Sequence, residues 1–246
     1  MTKVVTVTNQ KGGTGKTATT VNLATALAKL CVKVLVIDFD PQGNTSKGFG
    51  FRNLDSCATV VDFLHGVPFF LENRGVSVIP ADKNLARCQV ELSGMYSMLY
   101  DAMGSIEPKF DVILIDTPPA LGFFTLNAIV ASDHVICPSQ AEYDSVKGID
   151  QLNATIDKAN RKLGAKCKLT GILVTMFDQR LTLHRDMHKE LKRLYPKKIY
   201  KQMIPRNVAI AEAALHFKDV HSHSPNSFGS VYYEAFAEEF MERGFR

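Results

Sequence analysis

The chain has 246 residues, 46% of them hydrophobic and 22% charged, which is the balance of a folded globular protein and excludes a disordered tail or fibrous repeat. No apolar run approaches the ~20 residues of a membrane-spanning helix, and the five cysteines are scattered with no C-x-x-C pair, arguing against a zinc site and a disulfide-stapled secreted domain. The net charge of +4 hides an asymmetry: residues 158–206 carry fourteen Lys and Arg against three Asp and Glu, a local +11 that leaves −7 on the remainder and points to a polyanionic partner. In chain order, residues 4–8 read as a buried strand, 16–29 as a helix and 34–38 as the next strand, a βαβ unit. Further strands are predicted over 76–80, 111–116, 134–138 and 169–177, with helices near 125–131, 145–163, 183–194, 208–217 and 231–243. Continuous Val/Ile/Leu strands alternating with helices predict an α/β fold in a single domain over 1–246, its twisted, mostly parallel sheet covered by helices on both faces. Ligands of such sheets bind beyond the strand C-termini, which singles out residues 9–17, 38–44, 116–119 and the segment after Phe177.

Between the first strand and the first helix lies Lys11-Gly12-Gly13-Thr14-Gly15-Lys16-Thr17. Glycines carry no Cβ, so successive backbone N–H groups can turn toward phosphate oxygens, and the helix N-terminus adds partial positive charge. In this setting Lys16 would reach β- and γ-phosphates and the Thr17 hydroxyl would ligate Mg²⁺. An ordinary glycine-rich turn is the competing interpretation; glycines followed by Lys-Thr at a strand-to-helix junction favour the nucleotide. Asp116, ending an apolar strand, is placed to hold the waters of a magnesium ion, with Asp38, also at a strand end, as the second carboxylate. Asp40, taken alone, also fits a turn or cap residue beside Pro41.

A strict G-x-x-x-x-G-K-T pattern fails, because Gln10 stands at the first glycine position and Lys11 precedes the paired glycines. The loop instead resembles the deviant Walker A motif, K-G-G-x-G-K-T, of the ParA/MinD branch of P-loop ATPases, and the resemblance extends over most of the chain. Asp38-Phe39-Asp40-Pro41-Gln42-Gly43-Asn44 resembles the D-x-D-P-Q-G-N segment of ParA/Soj partition ATPases. Ile115-Asp116-Thr117-Pro118-Pro119 resembles their Walker B strand end, and Ile204-Pro205-Arg206-Asn207-Val208 is similar to the I-P-R-N-V stretch that carries adenine contacts there. The resemblance implies a P-loop NTPase-like fold and ATP hydrolysis with ATP and Mg²⁺ as cofactors. It implies phosphate contacts from Gly12, Gly13, Thr14 and Gly15, with the backbone N–H of Ala18, where relatives often have Thr, facing the α-phosphate. Pro205 and Asn207 are implied at the base. Asp40 takes the role of orienting the attacking water, and Lys11 that of a charge supplied in trans to the partner's phosphates across an ATP-bound homodimer.

Two stretches depart from the family or from a simple pattern. After Asn207 the usual R-L-S-E-A-P-S-x-G becomes Ala209-Ile210-Ala211-Glu212-Ala213-Ala214-Leu215-His216-Phe217, which predicts a remodelled dimer or DNA surface. His221-Ser222-His223 reads as a solvated pair in a polar loop, without the companions of a metal site.

On the helix predicted over 183–194, Arg185, Lys189, Lys192 and Arg193 fall at spacings of three or four, opposite Leu183, Met187, Leu191 and Leu194. Alone this is an ordinary solvated face. With Lys197, Lys198, Lys201 and Arg206 it becomes a candidate DNA-backbone patch, sequence-independent and salt-sensitive, since no helix-turn-helix or zinc finger is evident. A MinD-like membrane helix is disfavoured by the acidic residues of 232–240, and the cysteine settings of cluster-binding relatives are missing. We therefore expect a ParA/Soj-type partition ATPase, cytoplasmic and nucleoid-associated, whose ATP homodimer binds nonspecific DNA and is stimulated by a ParB-like partner, with no membrane contact. With the loop directly after the first strand, no N-terminal DNA-binding domain is expected. The alternative is a ParA-like ATPase that positions a protein cargo or division site.

Overall fold

Strands that are apolar at nearly every position can only be satisfied between two layers of helices, and that is how the chain folds. The computed structural model describes residues 2–245 except 53, 55, 56, 107 and 108. β1 (Lys3–Val7), α1 (Lys16–Lys29) and β2 (Val34–Asp38) form the first unit. Then come α2 (Asn44–Gly48), α3 (Val60–Leu64), β3 (Leu71–Asn73), β4 (Val76–Ile79), α4 (Leu85–Glu91), α5 (Met98–Met103), β5 (Val112–Asp116), α6 (Phe123–Ala131) and β6 (His134–Gln140). The chain continues through α7 (Ser145–Leu163), β7 (Lys168–Thr175), α8 (Thr182–Leu194), α9 (Val208–Leu215), α10 (Val220–His223) and α11 (Phe228–Glu242).

The sheet order is β3-β4-β2-β5-β1-β6-β7, and only the β3–β4 edge pair is antiparallel. β1 lies between β5 and β6, so the chain crosses over on either side of it and leaves a crevice at its C-terminal end. On one face Leu23 and Leu27 of α1 pack with Phe236 and Phe240 of α11 over Val36 and Leu114. On the other, Leu99, Met103, Phe124 and Ala128 cover Leu35, Ile37, Ile113 and Ile115. A third cluster seats α7 on β6 and β7 through Ile149, Leu152, Ile156 and Ala159, the three- and four-residue spacing of one helical face. Gly164, at φ 70°, ends α7 in the left-handed conformation glycine adopts without strain.

Two expectations are corrected. Leu183 and Leu194 are exposed, and α8 buries His188 and Leu191 instead. His221 is not solvated: it sits in α10, buried, with its ring nitrogens 2.9 Å from Ser230 Oγ and 3.1 Å from Asn22 O. Burial pushes its pKa down, so it bolts α1 to α11 as a neutral ring. His223 stacks on His216, and no group of three His, Cys, Asp or Glu suited to a metal occurs among the described residues.

Candidate functional site

The loop after β1 is fixed from behind through its carbonyls. Gln140 Nε2 donates to Gly13 O at 2.9 Å, and Thr175 Oγ1 donates to Thr14 O at 2.8 Å. Asn9 ties the loop entrance to β6 by donating to Pro138 O at 2.7 Å and accepting from Lys11 N at 3.0 Å. Gly13 and Gly15 have φ of 73° and 84°, a backbone that side chains rarely tolerate, and Gly15 caps α1 without any side-chain acceptor. A Cβ built on Gly12 or Gly13 would meet nothing within 4 Å, so the loop faces open space at a helix N-terminus. Lys16 is buried there; desolvation lowers its pKa, against the pull of Asp116 and Asp40.

Asp38 and Asp116 stand in register at the ends of neighbouring strands, both fully buried. Asp116 Oδ2 accepts from Thr17 Oγ1 at 2.9 Å and from Thr45 Oγ1 at 2.6 Å, while its Oδ1 has no partner within the described residues. Asp38 accepts from Ser46 N and Oγ at 2.7 and 2.6 Å and from Asp40 N at 3.3 Å. Burial, together with the facing Asp116, pushes Asp38 up to about 7, and burial pushes Asp116 up to about 6 despite its two hydroxyl donors. A buried carboxylate with an orphan oxygen, a second carboxylate beside it and a threonine hydroxyl in contact fit a divalent cation. Two carboxylates are fewer than a cage built by protein alone requires, which suits Mg²⁺ in particular, since that ion takes its remaining ligands from water and phosphate.

Asp40 is buried and its Oδ1 accepts from Gln42 N at 3.0 Å, forming the turn that its position beside Pro41 allows. It is also close enough to Lys16 to act on that residue's charge. Lys11 is exposed at the loop's mouth, where its Nζ pairs with Glu142. Ala18 follows Thr17 in the first turn of α1. Pro205 bridges Phe177 beyond β7, and Asn207 caps α9, accepting from Ala209 N at 2.9 Å.

The basic residues are not gathered into one compact patch. α8 has 13 residues, about 20 Å at ~1.5 Å each. Arg185 lies at its start, donating to Gln179 O at 2.8 Å, and Lys189 pairs with Asp186 at 3.7 Å. Lys192 is exposed, with no ion pair among the described residues. Lys197 and Lys198 lie beside the beginning of β7, whereas Arg206 is back at its far end, hydrogen-bonded through its N–H to Phe177 O.

Sequence inspection overlooked Thr45, Ser46, Gln140 and Glu142. The first two immediately follow the D-x-D-P-Q-G-N segment, which was the available signal for them; the other two close on the loop only through the β1–β6 pairing.

The chain is similar to known proteins over nearly its whole length. The profile of the AAA domain family matches residues 2–169. The sporulation initiation inhibitor protein Soj of Bacillus subtilis is 38% identical over 257 residues, covering 99% of this chain and all of that protein. The chromosome-partitioning ATPase Soj of Thermus thermophilus is 39% identical, over 97% of this chain and 95% of its own. The crystal structure of cobyrinic acid a,c-diamide synthase from Mycobacterium smegmatis with bound ADP and magnesium superposes with a TM-score of 0.84 at 30% identity, over 98% of this chain and 95% of that one.

Proposed function

The chain belongs to the ParA/Soj family of P-loop ATPases, and on that premise we propose that it is a partition switch that dimerises with ATP, binds DNA without sequence preference in that state, and resets when a ParB-like partner stimulates hydrolysis. The observation that carries this is the convergence of Lys16, Thr17, Asp38, Asp40 and Asp116 on one open, glycine-lined helix N-terminus. The N–H groups of Gly12, Gly13, Thr14, Gly15 and Ala18 would bind phosphate oxygens, Lys16 would neutralise the β- and γ-phosphates, and Pro205 and Asn207 would border the base. Thr17, Asp38 and Asp116 would hold Mg²⁺, which supplies positive charge to the departing phosphate. Asp40 orients the attacking water from beyond those carboxylates. Lys11 leaves Glu142 and reaches the partner's phosphates. The basic residues from Arg185 to Arg206 contact the DNA backbone, placing the protein on the nucleoid. No helix among the described residues is long and apolar enough to cross a membrane.

One observation favours protein cargo instead. Val208 and Leu215 on α9 are 71% and 76% exposed, and Ala209 stands where the family pattern has arginine, so this surface suits an apolar partner better than phosphate. A gel shift with random-sequence duplex, run with ATP and with ADP over a salt series, separates the two. Retardation with ATP alone, weakened by salt and missing in Lys16→Ala, supports DNA partition. No retardation with either nucleotide supports cargo positioning.

A further inference from the structure

A peptide group is planar and trans, so its carbonyl and the N–H of the next residue point in opposite directions. Two carbonyls of the glycine-rich loop are held from behind. Gly13 O accepts from Gln140 Nε2 at 2.9 Å and Thr14 O from Thr175 Oγ1 at 2.8 Å, and neither accepts another hydrogen bond among the described residues. The N–H groups of Thr14 and Gly15 are thereby turned toward the open side of the loop. That of Gly15 donates to no protein acceptor among the described residues. Both donors come from one place: Gln140 ends β6, Thr175 ends β7, and the two are partners in the parallel register. Thr175 and Thr14 are buried, so water does not compete for their bond. β7 also forms the wall behind Gly15, where a Cβ would lie 3.8 Å from Thr175 Cγ2 and from Met176 Cε. Met176 takes φ 50°, a left-handed value that strains a residue with a side chain, and its Sδ lies 3.2 Å from the same Gln140 Nε2.

We infer that Thr175 and Gln140 are positioning residues for the β-phosphate, acting through the loop carbonyls rather than on the nucleotide itself. The inference rests on the nucleotide reading proposed above. A loop with Gly13 and Gly15 on either side of Thr14 can turn its peptide groups over at little cost, because glycine accepts both signs of φ. Two fixed carbonyls remove that freedom. The N–H donors then stand aimed before phosphate arrives, and binding does not have to order them. Aim matters here because a hydrogen bond to a charged oxygen is about twice as strong as a neutral one. Packing alone does not call for a hydroxyl at position 175: valine has the same shape and suits a buried strand at least as well. The N–H of Ala18 is different. It lies in the first turn of α1, where the helix fixes its direction, so contact with the α-phosphate does not depend on Thr175 or Gln140.

The test is titration calorimetry of the full chain with ADP and Mg²⁺, joined to phosphorus NMR of the bound ADP. Thr175→Val keeps the buried shape and removes the donor. Its affinity for ADP should fall about tenfold, the low end of what a hydrogen bond to a charged group contributes. The β-phosphate resonance should move toward its position in free ADP while the α-phosphate resonance stays, and Thr175→Ser should restore affinity and resonance together. Gln140→Met, at a half-buried position where folding is not at stake, should move the same β-phosphate resonance in the same direction. Wild-type affinity in Thr175→Val, a serine variant no better than valine, or the two resonances moving together would overturn the inference and leave the nucleotide reading intact. So would an unmoved β-phosphate resonance in Gln140→Met. If the wild-type chain binds no ADP, the nucleotide reading fails and the inference with it.

Discussion

Asp38 and Asp116 face each other in register across β2 and β5, fully buried, with one Asp116 oxygen left unbonded among the described residues. Burial disfavours the charged form of each, and the facing Asp116 adds to this for Asp38 as Asp40 does for Asp116, so Asp38 rises from 3.8 to about 7 and Asp116 to about 6. A carboxyl whose pKa is raised on folding binds its proton more tightly in the folded chain. Its stabilisation is therefore present below pH 4 and is lost as pH rises through the window to about 7.

It follows that the nucleotide-free protein should become less heat-stable between pH 5 and pH 8, at least from this pair. Asp38→Asn should raise the unfolding temperature at pH 8, by about 2–4 °C for each kcal/mol relieved, and change it little at pH 5. The same variant should weaken Mg²⁺ binding. Calorimetry at the two pH values checks the first effect and titration with Mg²⁺ and ADP the second; equal Asp38→Asn shifts at both pH values would show that Asp38 does not change protonation state between them.

Lys11 and Glu142 form an exposed ion pair at the mouth of the loop. Such pairs are worth up to about 1 kcal/mol. Glu142→Gln should then favour the ATP dimer by up to about fivefold, and lower monomer stability by no more than that same ~1 kcal/mol, if the released lysine crosses to the partner as proposed. Lys11→Ala should bind ATP and remain monomeric. Sedimentation of both variants with ATP distinguishes these outcomes, and an intact Lys11→Ala dimer would remove the role in trans.

Gly171 admits the Tyr200 ring against β7: a Cβ there would fall 2.3 Å from Tyr200 Cε2. Tyr200 is itself locked edge-on to Phe236 and under Arg243. Gly171→Ala should cost about 1–3 kcal/mol by overpacking, seen as a lower denaturant midpoint, and should loosen the segment leading to Pro205.

The alternation of strand and helix was legible because β2 and β5 are buried on both faces and β1, β6 and β7 nearly so, which leaves long apolar runs in the sequence. The region between β2 and β5 was not, since α2, α3, α4 and α5 have five to seven residues, too few to show a period, and β3 has three. Lys16, Thr17, Asp38 and Asp116 could be brought together from sequence because each lies at or just beyond the C-terminal end of a parallel strand. His221 could not be read correctly: its partners, Asn22 and Ser230, are brought to it by α1 and α11. Helical spacing likewise showed the basic face of α8 but not that the chain then returns along β7, parting Lys197 from Arg206.

The most direct measurement is the mass of Asp40→Ala by light scattering with ATP and with ADP. Asp40 lies beside the carboxylates that would hold Mg²⁺ and caps its own turn, so its removal should spare nucleotide binding and stop turnover. We predict a stable dimer, twice the 27.2 kDa of the chain, with ATP, a monomer with ADP, and hydrolysis reduced at least about a hundredfold, the low end of what a positioned proton acceptor contributes. A monomer with both nucleotides, or hydrolysis at the wild-type rate, would contradict an ATP-driven switch built on this site.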